Sequence, residues 1–166
     1  MIVAVILAAG ASTRLGSPKQ DIVFEGETLL QRAERLARAV AEDVIVVTPE
    51  LNPDAEEGIA SSIRAGVRRA GNARILIMLC DQPLITVTHL QDLIAIDAPI
   101  VATGYAGIAG VPAVFAPEFA SELLALRGDR GARAVIEAHR DVTRVVSFED
   151  AAVDIDTTDD LRKLKG

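Results

Sequence analysis

The sequence has one cysteine, Cys80, and two histidines among its 166 residues. One thiol cannot close an internal disulfide, and its apolar neighbours point to a buried, reduced side chain in a reducing compartment such as the cytoplasm. Positive charge is also in short supply. Lys and Arg number 17 against 24 Asp and Glu, which leaves −7 at pH 7 and an isoelectric point near 4.8. Phosphate backbones reward clustered Lys and Arg, so this balance argues against a nucleic-acid binder. It leaves room for a small anionic ligand, because a local pocket can be basic in an acidic protein. No apolar run is long enough to span a bilayer. The opening "MIVAVILAAGAS" imitates a secretory segment, but it lacks a basic leading region and runs at once into a glycine-rich turn. The expectation is therefore a soluble, cytoplasmic protein. Linkers, repeats and low-complexity tracts are missing too, and the length fits one domain over residues 1–166.

What is present alternates. "IVAVIL", "DVIVVT" and "RILIMLC" are short β-branched or aliphatic runs that read as buried strands. Between them, Thr28 caps a predicted helix with Leu29, Ala33, Leu36 and Val40 on one face and Glu34 paired with Arg38 on another. A second helix aligns Ile59, Ile63 and Val67, and a third covers Thr86 to Ala95. Strand, helix, strand, helix, strand predicts a mostly parallel sheet with helices on both faces, a Rossmann-like α/β three-layer sandwich. The second half is less regular. "APIVA", "PAVFA", "VTRVVSF" and "AVDI" read as short strands, Pro117–Leu126 and Ala132–His139 as helices, and a last helix starts at Thr158. Residues 49–58 and 103–110 read as the long loops, and in open α/β sheets such loops build the site.

The loop after the first strand, "LAAGASTRLGSPKQ", carries chemistry. It is not a P-loop: Gly10 and Gly16 enclose five residues, and Ser17 and Pro18 precede Lys19. It is not the dinucleotide fingerprint either, since no glycine stands two positions after Gly10. Yet glycines that admit close backbone approach, exposed N–H groups, Arg14 and Lys19 are the parts of an anion site. The bland alternative is a turn whose cations face solvent.

Asp81 ends the third strand in "CDQP" and should face the same crevice. A carboxylate there needs hydration, hydrogen bonds or a cation. Mg²⁺ on nucleotide phosphates is the natural cation, because it keeps waters and uses one or two carboxylates. Asp154 or Asp156 in "VDIDTTDD" could supply the second, although strand alternation could also turn both outward.

These segments resemble the MobA-like nucleotidyltransferases, and in particular the molybdenum cofactor cytidylyltransferases. "LAAGASTRLGSPKQ" is similar to their L-A-x-G-x-S-x-R-[ML]-G-x-x-K signature. "NPDAEEGIASSIRAG", "CDQPLIT", "GVPAVF", "LRGDRGARAVI" and "DIDTTDDL" follow in the family's order, so the resemblance covers nearly the whole chain. It implies transfer of a nucleoside monophosphate from a triphosphate to a phosphorylated acceptor, with release of pyrophosphate. Leu7, Ala8, Ala9, Gly10 and Ser12 would lie against the base and phosphates, and Arg14 and Lys19 would hold the triphosphate. Asp81 would bind Mg²⁺ with Asp154 or Asp156. Asn52, Ser61 and Ser62 resemble a further nucleotide-binding block, although the two serines could equally satisfy free N–H groups at a helix start. Neither His89 nor His139 falls in a motif, so both read as structural or surface residues.

"LAAG" resembles the cytidylyl branch, whereas guanylyl relatives carry "LAGG", so Ala9 points to CTP. The chain departs from the pattern at Asp21 and Ile22, at Val111 where relatives have His, and in shorter stretches at 48–52 and 103–110. Those stretches would shape the acceptor side, which leaves molybdopterin, a sugar phosphate, an isoprenoid precursor or another phosphorylated metabolite as acceptor. A nucleotide-binding module without turnover is the reading of a different class.

Overall fold

The structure is a computed structural model that describes residues 1–8, 21–155 and 162. Its centre is β1 (Ile2–Leu7), buried at every position. Val3, Val5 and Leu7 point into one core cluster, and Ile2, Ala4 and Ile6 into the other. A strand apolar on both faces has to be covered on both faces, and it is.

β1 pairs in parallel with β4 (Asp43–Val47) and with β5 (Arg74–Leu79). Beyond β5 lie β7 (Ile108–Phe115), β6 (Ile100–Tyr105) and β8 (Thr143–Ser147), giving the order β4-β1-β5-β7-β6-β8. β7 runs against both of its neighbours, and β8 is parallel to β6. The mostly parallel α/β sandwich is thus observed, with one reversed strand inside it.

Helices α2 (Ile59–Ala70), α4 (Ala120–Leu124) and α5 (Ala132–Ala138) cover one face. Helices α1 (Leu29–Arg38) and α3 (Val87–Ala95) cover the other. α1 starts on a complete capping box: Thr28 Oγ1 accepts from Gln31 N–H at 3.0 Å, and Gln31 Oε1 accepts from Thr28 N–H at 2.8 Å. Glu34 and Arg38 pair at 3.4 Å, as the spacing predicts. α2 sits close on β1 because Gly66 faces it, and a Cβ there would strike Val5.

Several expectations change. β4 is an edge strand, with only Val47 fully buried, because the sheet ends beside it. Residues 103–110 form a hairpin instead of a loop. Tyr105 pairs with Ile108 across Ala106 and Gly107, which both take positive φ, 50° and 76°. "AVDI" is no strand: a 3-10 turn over Glu149–Ala152 runs into an extended segment. α1 ends before Val40, and Ala37 takes the fourth place on its buried face. α4 is preceded by a 3-10 turn over Pro117–Phe119. A short hairpin of β2 (Val23–Phe24) and β3 (Glu27–Thr28) precedes α1. Apart from Arg162, the helix expected from Thr158 lies outside the described residues. Among those residues no helix is long and apolar enough to cross a membrane.

Candidate functional site

Parallel pairing brings the carboxyl ends of β1, β4, β5, β6 and β8 to one edge of the sheet, and the reversal of β7 delivers the β6–β7 turn there too. At this edge Ala8 N–H donates to Val47 O at 2.9 Å, so the chain leaves β1 beside the end of β4. Leu7 and Ala8 are buried, their side chains directed into opposite cores. Ala9, Gly10, Ser12, Arg14 and Lys19 lie outside the described residues.

Asp81 stands two residues past β5 and is half-buried. From β8 the chain turns through Glu149–Ala152, and Ile155 N–H donates to Asp81 O at 3.1 Å. This bond sets the segment carrying exposed Asp154 beside Asp81; Asp156 lies outside the described residues. Buried Gln82 fixes the junction, its Nε2 donating to Ala151 O at 3.0 Å and Val111 O at 3.2 Å. Gln82 belongs to the quoted "CDQP", yet nothing in sequence order told that it ties three segments together. No group of three or more His, Cys, Asp or Glu side chains gathers among the described residues. Asp81 and Asp154, on adjoining segments, are oxygen donors that would suit Mg²⁺ keeping water and phosphate ligands and would not close a structural metal site.

Asn52, Ser61 and Ser62 come together, but they face one another. Asn52 Nδ2 donates to Ser61 Oγ and Ser62 Oγ, each at 2.9 Å, while Asn52 Oδ1 accepts from Asp54 N–H at 3.1 Å. Ser61 Oγ donates to Gly58 O at 2.8 Å. All three side chains are buried, and they lock the loop before α2 onto its first turn.

A second lock joins two motifs far apart in sequence. The Glu57 carboxylate receives Arg64 Nη2 at 2.6 Å and Nη1 at 2.8 Å, and also accepts from Gly128 N–H at 3.0 Å. Arg64 Nη1 reaches Leu126 O at 2.8 Å, and Ala60 N–H donates to Gly128 O at 3.1 Å. The Arg64 guanidinium, with the Gly128 N–H, holds the Glu57 carboxyl down to about 2. Gly58 is required at this contact: its φ is 129°, and a Cβ would strike Gly128 O.

On the α2/α5 side of the edge opens a cleft of about 160 Å³. Leu7, Leu79, Ile59 and Ile108 form apolar walls, and Tyr105 and Arg133 bring polar groups. Burial pushes the Tyr105 phenol up; Arg133 opposes that, and the charges of Asp154 and Asp81 add to it. Tyr105 is thus within electrostatic reach of both carboxylates and of Arg133. Sequence reading missed both residues, since the first sat in an expected loop and the second in a helix.

Known proteins match this chain over most of its length. The profile of the MobA-like NTP transferase domain family matches residues 4–142. Purine catabolism protein PucB of Bacillus subtilis is 28% identical, the match covering 82% of this chain and 81% of that protein. The molybdenum cofactor guanylyltransferase of Pseudomonas fluorescens is 30% identical over 53% of this chain, a match that spans about half (52%) of its own length. Among solved structures, Rv0371c of Mycobacterium tuberculosis superposes with a TM-score of 0.86 at 29% identity, covering 99% of this chain and 98% of that one. A structure of Rv0371c in complex with manganese gives 0.73 at 27% identity, over 98% and 97%.

Proposed function

The chain belongs to the MobA-like NTP transferase family and is a nucleotidyltransferase, and from that premise we propose that it moves CMP from CTP onto a phosphorylated acceptor of the molybdopterin type. The observation that carries this reading is the bond from Ile155 N–H to Asp81 O, which sets two segments with acidic side chains side by side where β1 also ends. An oxygen of the acceptor phosphate attacks the α-phosphorus, the bond to the bridging oxygen breaks, and pyrophosphate leaves with the electron pair.

Such a transfer needs little covalent help, so alignment and charge stabilisation dominate. Arg14 and Lys19 hold the triphosphate and offset charge on the leaving pyrophosphate. Asp81, with Asp154 or Asp156, holds Mg²⁺, which when bound withdraws charge from the phosphoryl oxygens. A manganese complex of a related protein supports a divalent cation here. Leu7, Ala8, Ala9, Gly10 and Ser12 serve the base and phosphates of the nucleotide. Asn52, Ser61 and Ser62 serve that side by fixing the loop before α2.

Ala9 supports CTP as donor. The relatives named molybdenum cofactor guanylyltransferases favour GTP as a second reading. Pyrophosphate release with Mg²⁺ and each of CTP, GTP, ATP and UTP, with and without molybdopterin, tests both. Acceptor-dependent release with CTP is expected; release with GTP alone replaces the donor, and nucleotide binding with no release under any condition removes the catalytic reading.

A further inference from the structure

The nucleotide half of the site leaves the 160 Å³ cleft and its two polar residues without a role. Its walls are aliphatic side chains from β1, β5, α2 and β7, a surface on which a flat ring can lie face down. The polar groups at its disposal are unlike those a base would need. Its polar side chains are those of Tyr105 and Arg133, since Asn52, Ser61 and Ser62 bond to one another outside its lining, and Arg133 is a full positive charge for which a neutral base has no partner. Arg133 is held loosely, with Glu137 Oε1 at 3.7 Å and more than half of its side chain exposed. The Tyr105 hydroxyl lies over Gly110, where a Cβ would come within 2.9 Å of the oxygen. A cation beside an apolar seat fits a molecule with a ring and an anionic group, and the acceptor in a nucleotidyl transfer carries a phosphate.

We propose that Arg133 and the Tyr105 hydroxyl hold the acceptor's phosphate at the mouth of this cleft, with the acceptor's ring system seated on the Leu79, Ile59 and Ile108 wall. The phosphate then lies at the edge where β5 ends in Leu79, a lining residue two positions before Asp81. Both residues determine acceptor choice, and the inference rests on the nucleotidyltransferase reading given above. It also explains the "LRGDRGARAVI" segment, because the Glu57–Arg64–Gly128 lock fixes the start of α5 and so the place of Arg133.

Direct binding separates this inference from the reading it rests on, because no turnover is needed. Molybdopterin and a non-hydrolysable CTP analogue are titrated separately into the full-length parent, Arg133→Ala and Tyr105→Phe. Arg133 is exposed on a helix and Ala is a good helix former, so the fold is expected to survive, and circular dichroism of each variant checks it. The expected result is a loss of molybdopterin affinity of about tenfold or more in Arg133→Ala, a smaller loss in Tyr105→Phe, and analogue affinity within about twofold of the parent. Molybdopterin affinity within about twofold of the parent in Arg133→Ala overturns the proposal, and so does an equal loss of analogue affinity. Pyrophosphate release by the parent is scored independently: its absence overturns the catalytic reading while the binding result still decides the subsite.

Discussion

Glu57 and Arg64 meet through two hydrogen bonds that bracket Gly58, and the same carboxylate takes the N–H of Gly128 seventy-one residues on. The loop before α2 and the segment before α5 are thereby one piece.

That lock is sensitive to acid. The Glu57 carboxyl lies at about 2 in the folded protein, below its ordinary 4.5. The unfolded chain therefore takes up the proton first, so the stabilisation is full above about 4.5 and is lost as pH falls toward 2. Glu57→Gln is expected to unfold at lower denaturant than the parent at pH 7, with the difference shrinking as the pH is lowered. A difference that does not depend on pH would assign the effect to something other than this charge.

Asp81→Ala is expected to abolish metal-dependent pyrophosphate release while leaving the circular dichroism spectrum of the fold in place. Unchanged turnover would remove Asp81 from the mechanism. Lys19→Ala is expected to slow transfer by about 10²–10³-fold, a few kcal/mol of transition-state stabilisation, and parental kinetics would overturn the role given to the loop.

His89 is buried against Phe148, its ring stacked at 4.4 Å. Thr103 Oγ1 donates its single proton to Pro112 O at 2.6 Å and so accepts from His89 Nε2, 2.9 Å away, which fixes the proton on Nε2. Burial lowers the pKa of the ring below 6.5, with the charge of Asp92 acting in the opposite sense. Nitrogen-15 NMR is expected to show the Nε2–H tautomer and a ring that takes up its second proton only below the ordinary 6.5. The unfolded chain takes the proton near 6.5 and the folded one resists it, so this residue costs stability as pH falls below 6.5.

Ala106 sits in the left-handed region at the tip of the β6–β7 hairpin, a place that favours Asn or Gly. Ala106→Asn is expected to stabilise the protein by about 1 kcal/mol in chemical denaturation. A neutral or destabilising result would show that the Ala106 N–H bond to Glu149 Oε2, 3.0 Å long, already sets this turn.

The legible part of the fold is the part whose residues are buried on both sides. β1 and, after Arg74, β5 are aliphatic runs, Thr28 caps α1 where its spacing puts it, and the helix expected over Thr86 to Ala95 is α3. "DVIVV" looks the same as those runs, but whether a strand lies at the centre or the edge depends on neighbours that arrive later in the chain. The β6–β7 hairpin was hidden because Ala-Gly replaces the usual Asn-Gly in its turn, which left 103–110 without a pairing signal. At the candidate site, the position of Asp81 just past the third strand was legible, because the apolar run ends there. The places of Gln82 and Arg64 were not, since each bonds to a segment that only folding brings near, nor was that of Arg133, whose cleft is walled by residues distant in sequence.

The reversed strand β7 makes one margin of this edge extensible. A crossover between parallel strands must span the whole sheet, whereas the tip at Ala106–Gly107 joins immediate neighbours. Pairs of residues added there prolong both strands in register, and the entropic penalty of a longer tip rises only slowly. That margin can be rebuilt by insertion with β1, β4 and β5 left untouched, so the two halves of the crevice are free to diversify at different speeds.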